Sequence, residues 1–121
     1  MKKWIKSWNR SIKPSKQRKY RYNSPLHIRH KLMSVNLSKD LRKRHSLRNI
    51  SIRKGDKVKI LRGQFKKKSG AISKVDLKKL KVYVEGIENL RKDGTKTFYP
   101  LEPSNLQIIE LNTGDKRRKI K

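Results

Sequence analysis

Between Lys57 and Gly63 apolar and cationic residues alternate: Val58 and Ile60 stand between Lys57, Lys59 and Arg62. A repeat of two is the mark of a strand with one dry and one wet face, and no helix accommodates it. Gly63 and Gly70 then bracket Gln64-Phe65-Lys66-Lys67-Lys68-Ser69, after which β-like sequence resumes at Ala71-Ile72 and runs to Val82-Tyr83-Val84. Glycine takes positive φ without steric cost, so the pair predicts sharp corners on either side of a cationic loop. The stretch reads as strand, tight loop, strand, with three lysines held out where a phosphate would sit.

The rest of the β pattern follows from the same signals. Asp93-Gly94 within Lys92–Thr95 is a hairpin turn, flanked by Glu85–Leu90 and Thr97-Phe98-Tyr99. Pro100 and Pro103 restrict the next connection, and Leu106–Leu111 is a last strand. Five short strands in a segment of this length predict a small SH3-like barrel over residues 48–111. Such a body buries little surface for its size.

Composition bounds what surrounds it. The 121 residues carry 36 Lys and Arg against 9 Asp and Glu, a formal charge of +27, with 32% hydrophobic residues. That apolar content is low for a packed globule, so part of the chain gains its order from something else. Self-repulsion on this scale selects a polyanion. Cysteine is absent, which excludes disulfides, thiol chemistry and Cys-based zinc sites. No apolar run is long enough to span a bilayer, and Ile5-Lys6-Ser7 interrupts any signal-peptide core. The chain reads as soluble and not secreted.

Half of the aromatic residues, Trp4, Trp8, Tyr20 and Tyr22, fall in residues 1–23 among Lys2, Lys3, Arg10, Lys16, Arg18, Lys19 and Arg21. The segment has neither helical nor strand periodicity and reads as an extended basic tail. Aromatics between cations suit base stacking between phosphate contacts. The bland alternative packs those rings on the domain or a neighbouring protein and leaves the cations in water. Residues 24–47 read as two short helices. In the first, Ser24 serves as N-cap and Pro25 as first helical residue, with Leu26, Ile28, Leu32 and Met33 as its apolar side and His27, Arg29, His30 and Lys31 outside. Ser38 caps the second, with Asp40 in its first turn and Lys39, Arg42, Lys43 and Arg44 as candidate phosphate contacts. Neither helix is stable alone. Residues 112–121 read as a basic tail.

The stretch from Arg53 onward resembles the KOW motif, a β-loop-β element of several ribosomal proteins and transcription elongation factors. Gly55-Asp56, Val58/Ile60, Arg62-Gly63, Phe65-Lys66 and Gly70 carry the likeness, and Lys67 stands where the motif usually has glycine. Gly55, Asp56, Gly63 and Gly70 are accordingly its structural residues. Pro25–Arg29, Lys31–Ser34, Leu37–Arg42 and Pro103–Asn105, in that order, resemble the large-subunit ribosomal protein family numbered twenty-four in bacteria and twenty-six in eukaryotes, in its archaeal form. That resemblance covers roughly residues 24–112 and implies a ribosomal-RNA-binding constituent of the large subunit in the cytoplasm. It further implies binding to the five-prime domain early in assembly, beside the exit tunnel, with other large-subunit proteins as neighbours.

Candidate RNA contacts are Lys2, Lys3, Arg10, Lys16, Arg18, Lys19, Arg21, His27, Arg29, Lys31, Lys39, Arg42, Lys43 and Arg44 together with Arg53, Lys54, Arg62, Lys66, Lys67 and Lys68, with Phe65 as a further stacking candidate. A solvated turn is the alternative for the lysine loop. His27 and His30 lie three apart without a carboxylate or cysteine to complete a metal site, and His45 is unaccompanied. The nine acids form no general acid–base pair, and the loop lacks the Gly-Lys-Ser/Thr of a nucleotide-binding P-loop. No enzyme, cofactor, metal, membrane or small-molecule substrate is expected. A KOW-type elongation factor, or another non-ribosomal nucleic-acid-binding protein, is the alternative function. Its larger α/β domain has no room in residues 1–47.

Overall fold

The computed structural model describes residues 4–7 and 10–118. The alternation at the centre of the sequence forms β3 (Lys57–Ile60), whose Val58 and Ile60 are fully buried while Lys57 and Lys59 face solvent. On one side β3 pairs antiparallel with β4 (Ser69–Asp76), Val58 opposite Gly70. On the other it pairs antiparallel with β8 (Leu106–Glu110), Val58 opposite Ile108. β8 in turn lies parallel to β1 (Ser34–Leu37), which pairs antiparallel with β2 (Asn49–Ser51). At the far side β4 pairs with β5 (Lys81–Val84) through a bulge between Ile72 and Lys74. The order is β2-β1-β8-β3-β4-β5.

β6 (Glu88–Leu90) and β7 (Lys96–Phe98) form a separate hairpin around Asp93-Gly94, as the turn signal predicts, with Gly94 at φ +89°. The body is therefore a small β-rich domain with eight strands among the described residues rather than five. Among those residues no strand pairing closes the sheet into a ring. The added strands have plain causes. The long run after Gly70 breaks at Leu77–Leu80, where the Asp76 carboxylate accepts hydrogen bonds from the backbone N–H of Lys78 and Lys79. β1 alternates buried Val35 and Leu37 with half-buried Ser34 and Asn36, a strand that the reading of residues 24–47 as helical passes over.

Among the described residues the core consists of fourteen buried apolar side chains, the first Met33 and the last Ile108. Its centre is the β1–β8–β3–β4–β5 face: Leu37, Val58, Ile60, Ile72, Val82, Val84, Leu106 and Ile108, each at most 1% exposed.

Helices flank the sheet. Pro14–Asn23 is α1, where the sequence reading has an extended tail. It buries no side chain, so no apolar stripe betrays it; Pro14 at its start and a run of good helix formers account for it locally. α2 spans Leu26–Leu32 and starts one residue later than the Ser24 cap predicts, with Pro25 as N-cap. The Ser24 hydroxyl instead donates backwards to the Arg21 carbonyl at 2.6 Å. Of the expected apolar side, only Met33 enters the core; Leu26 and Leu32 are exposed. α3 (Lys39–His45) matches its expected cap, since the Ser38 hydroxyl accepts from the Leu41 N–H.

Candidate nucleic-acid interface

The lysine loop is built on the β3–β4 corner. Gly63 sits at φ +96°, and the Lys67 N–H donates to the Ile60 carbonyl at 2.9 Å, folding the tip back on the strand. Lys66, Lys67 and Lys68 are all exposed. Lys67 adopts φ +73°, a left-handed conformation taken by a lysine at the position where the KOW pattern has glycine. Gly70 works differently from Gly63: its φ is not positive. A side chain there would lie 2.8 Å from the Glu85 carbonyl, so the residue is small because β5's end crosses over it.

Phe65 is held rather than offered. It packs edge-on against Tyr99 with ring centres 5.0 Å apart, fringes the core, and lies beneath Lys68 Nζ at 5.2 Å. Its ring anchors the loop. Gln64 reaches Asn89 of the β6–β7 hairpin at 3.4 Å, tying the two projections together.

Behind the loop, Asp56 has no exposure at all. Its carboxylate accepts from the Arg53 N–H at 3.0 Å and the Asn112 N–H at 2.8 Å. Arg118, nearly buried, closes on it in a two-pronged pair: Nη1 to Oδ1 at 2.6 Å and Nη2 to Oδ2 at 2.7 Å. Nη2 also donates to the Ser51 carbonyl. Arg53 pairs with Asp115. The described part of the C-terminal basic tail is thus folded against the Gly55-Asp56 corner, and Arg118 has no signal of its own in the sequence. Only its distance from a fully buried aspartate, 62 positions away in sequence, identifies it.

At the N-terminal side, residues 4–6 lie along α1. Trp4 Nε1 donates to the Tyr20 carbonyl at 3.1 Å, the two rings are 4.9 Å apart, and the Tyr20 hydroxyl donates to the Lys6 carbonyl. Both rings are therefore engaged within the chain. Tyr22 is not: it is 75% exposed. Lys2, Lys3 and Trp8 lie outside the described residues.

Arg29 is turned inward, against the expectation that it faces solvent. Its guanidinium donates to the carbonyls of Ser24 at 3.1 Å, Tyr22, and Lys78 at 3.1 Å, linking the end of α1 to the β4–β5 turn. Between those two elements lies a cleft of about 280 Å³ lined by Arg18, Arg21, Tyr22, Lys78, Lys79, Leu80, Lys81 and Glu102. The sequence reading places Arg18, Arg21 and Tyr22 among RNA contacts but gives no role to Lys78, Lys79 or Lys81. In sequence those lysines fall inside the β-like run from Ala71 to Val84, and the fold sets them opposite α1.

The remaining candidates are spread over the surface. Arg10, Lys16, Lys19, His27, Lys31, Lys39, Lys43, Arg44, Lys54 and Arg62 are exposed, and Arg42 is half-buried. The acids are largely committed: Asp56 to Arg118, Asp115 to Arg53, Glu102 to Lys81, Glu110 to Lys57, and Asp76 and Asp93 to turn N–H groups. The Asp93 carboxyl is held below the ordinary range by the Thr95 hydroxyl and by the Thr95 N–H. Most surface cations consequently keep their charge for a partner. Among the described residues no three His, Cys, Asp or Glu side chains stand together as a metal site, and no helix is long and apolar enough to cross a membrane. Residues 11–121 match the family described as ribosomal proteins L26 in eukaryotes and number twenty-four in archaea.

Proposed function

The chain belongs to this family of eukaryotic ribosomal protein L26 and its archaeal counterpart, a structural component of the large ribosomal subunit, and from that membership we propose how it does its work. It binds large-subunit ribosomal RNA by neutralising crowded phosphates, with little reading of base sequence. The β-rich body, SH3-like over residues 48–111 and extended by β1, supplies shape. The lysine loop at 66–68 grips backbone phosphates, and the exposed cations of residues 1–47, on either side of buried β1, face folded RNA. Its place is the five-prime domain beside the exit tunnel of the cytoplasmic ribosome, among neighbouring large-subunit proteins.

The observation that carries this reading is the family match together with a surface whose acids are mostly committed within the chain. Non-enzymatic binding needs no more than that. The test is sedimentation of the tagged protein through a sucrose gradient, followed by crosslinking to RNA. Travel with large subunits and crosslinks to their ribosomal RNA are expected. Migration with RNA polymerase, without ribosomal sedimentation, would overturn it.

A further inference from the structure

We propose that the cleft between α1 and the β4–β5 turn holds one unpaired nucleotide of RNA, its base on the Tyr22 ring and its flanking phosphates on Arg18, Arg21, Lys78 and Lys79. The inference rests on the ribosomal reading and names a site within it. Arg18, Arg21 and Tyr22 fall three and four positions apart on α1, which puts them on a shared side of the helix. The opposite wall is a turn whose Lys78 and Lys79 N–H groups are fixed by Asp76, so both side chains stand out exposed. Arg29 braces the two walls by bonding carbonyls on each, the Tyr22 carbonyl at the end of α1 and the Lys78 carbonyl in the turn. Lys81 is already paired with Glu102, which leaves the other four cations for a ligand.

Volume and chemistry then limit the occupant. At about 280 Å³ the cleft lies at the small end of ligand sites and suits a single planar group with its phosphates rather than a duplex. Phosphate alone would need no aromatic residue. A phenol that is 75% exposed among cations, with Leu80 as the one apolar residue beside it in the cleft lining, has a face left over for a nucleobase to stack on. Paired bases hide those faces in the stack, so the base must be unpaired.

The experiment uses the full chain and two hairpin RNAs of equal length and charge, one with a single bulged nucleotide and one with an abasic residue at the bulge. Wild type is expected to prefer the bulged hairpin about tenfold, the size of one base stack. Tyr22→Ala abolishes that preference and Tyr22→Phe retains it. Because Tyr22 is exposed and its carbonyl is unchanged in both variants, folding is not in question. Equal binding of both hairpins by wild type, or an unaltered preference in Tyr22→Ala, would overturn the site. Sedimentation with large subunits separates the two readings. A wild-type chain that joins large subunits but ignores the bulge leaves the ribosomal reading standing alone, and a chain that joins none removes that reading whatever Tyr22 does.

Discussion

Lys67 puts a side chain where the backbone is left-handed. Its φ of +73° is a conformation that glycine takes without strain, and an L side chain there costs about 1–2 kcal/mol. Lys67→Gly is therefore expected to raise the unfolding free energy by about 1 kcal/mol in urea titrations, while removing one cation from the loop. Gly63, at φ +96° in open space, is the reverse case. A Cβ there meets no atom within 4 Å, yet Gly63→Val is expected to lower stability by about 1 kcal/mol or more through the backbone conformation. Unchanged melting of either variant would mean that the loop relaxes to another conformation at no cost. Asp56 belongs to a different order of effect. Its carboxylate is wholly buried and takes two guanidinium and two backbone donors, so Arg118→Ala strands a buried charge and is expected to cost about 3 kcal/mol. The same substitution in an Asp56→Asn background should cost clearly less, because the charge it strands is no longer there.

Elements differ in how much of themselves they write into the local sequence. β3 alternates strictly, β8 is a short β-branched apolar run, α3 carries its own cap in Ser38, and the β6–β7 turn announces itself in Asp93-Gly94; all were legible. β1 was not, although Val35 and Leu37 alternate, because four residues become a strand only between two partners, β2 and, about seventy positions later, β8. α1 was hidden for the opposite reason: with no buried side chain it has no apolar period to read. The cleft was invisible because part of it lies on α1 and part on a distant turn braced to it by Arg29. Losing that brace tests the account. Arg29→Ala is expected to raise amide exchange across residues 14–23 while leaving β3 and β8 protected; unchanged exchange would show that α1 holds without it. The hairpin has a pH signature of its own. The Asp93 pKa is depressed on folding by its bonds to Thr95, so its contribution is present above the usual carboxylate pKa of about 4 and lost as pH falls through the lowered value. NMR shifts of Thr95 should follow that acid titration and be pH-independent in Asp93→Asn.

At the scale of the whole molecule, packing and charge are placed in different parts of the chain. Every core side chain among the described residues lies between Met33 and Ile108, whereas residues 1–32 hold no acid at all among their many lysines and arginines. Hydrophobic burial thus stabilises the β body without help from the described part of the first twenty-three residues, which carries cations that burial never needs. Deleting residues 1–23 should leave the cooperative melt of the β body in place and weaken binding to ribosomal RNA. It should also lower the steepness of the salt dependence, since each phosphate left without its cation removes one counterion-release step. For the full chain, on the order of ten neutralised phosphates give a slope of log affinity against log salt of about −7 to −9. A flat salt response in the full chain would contradict phosphate neutralisation itself. A slope unchanged by the deletion would instead assign the phosphate grip to the β-loops alone, with the 66–68 loop first among them.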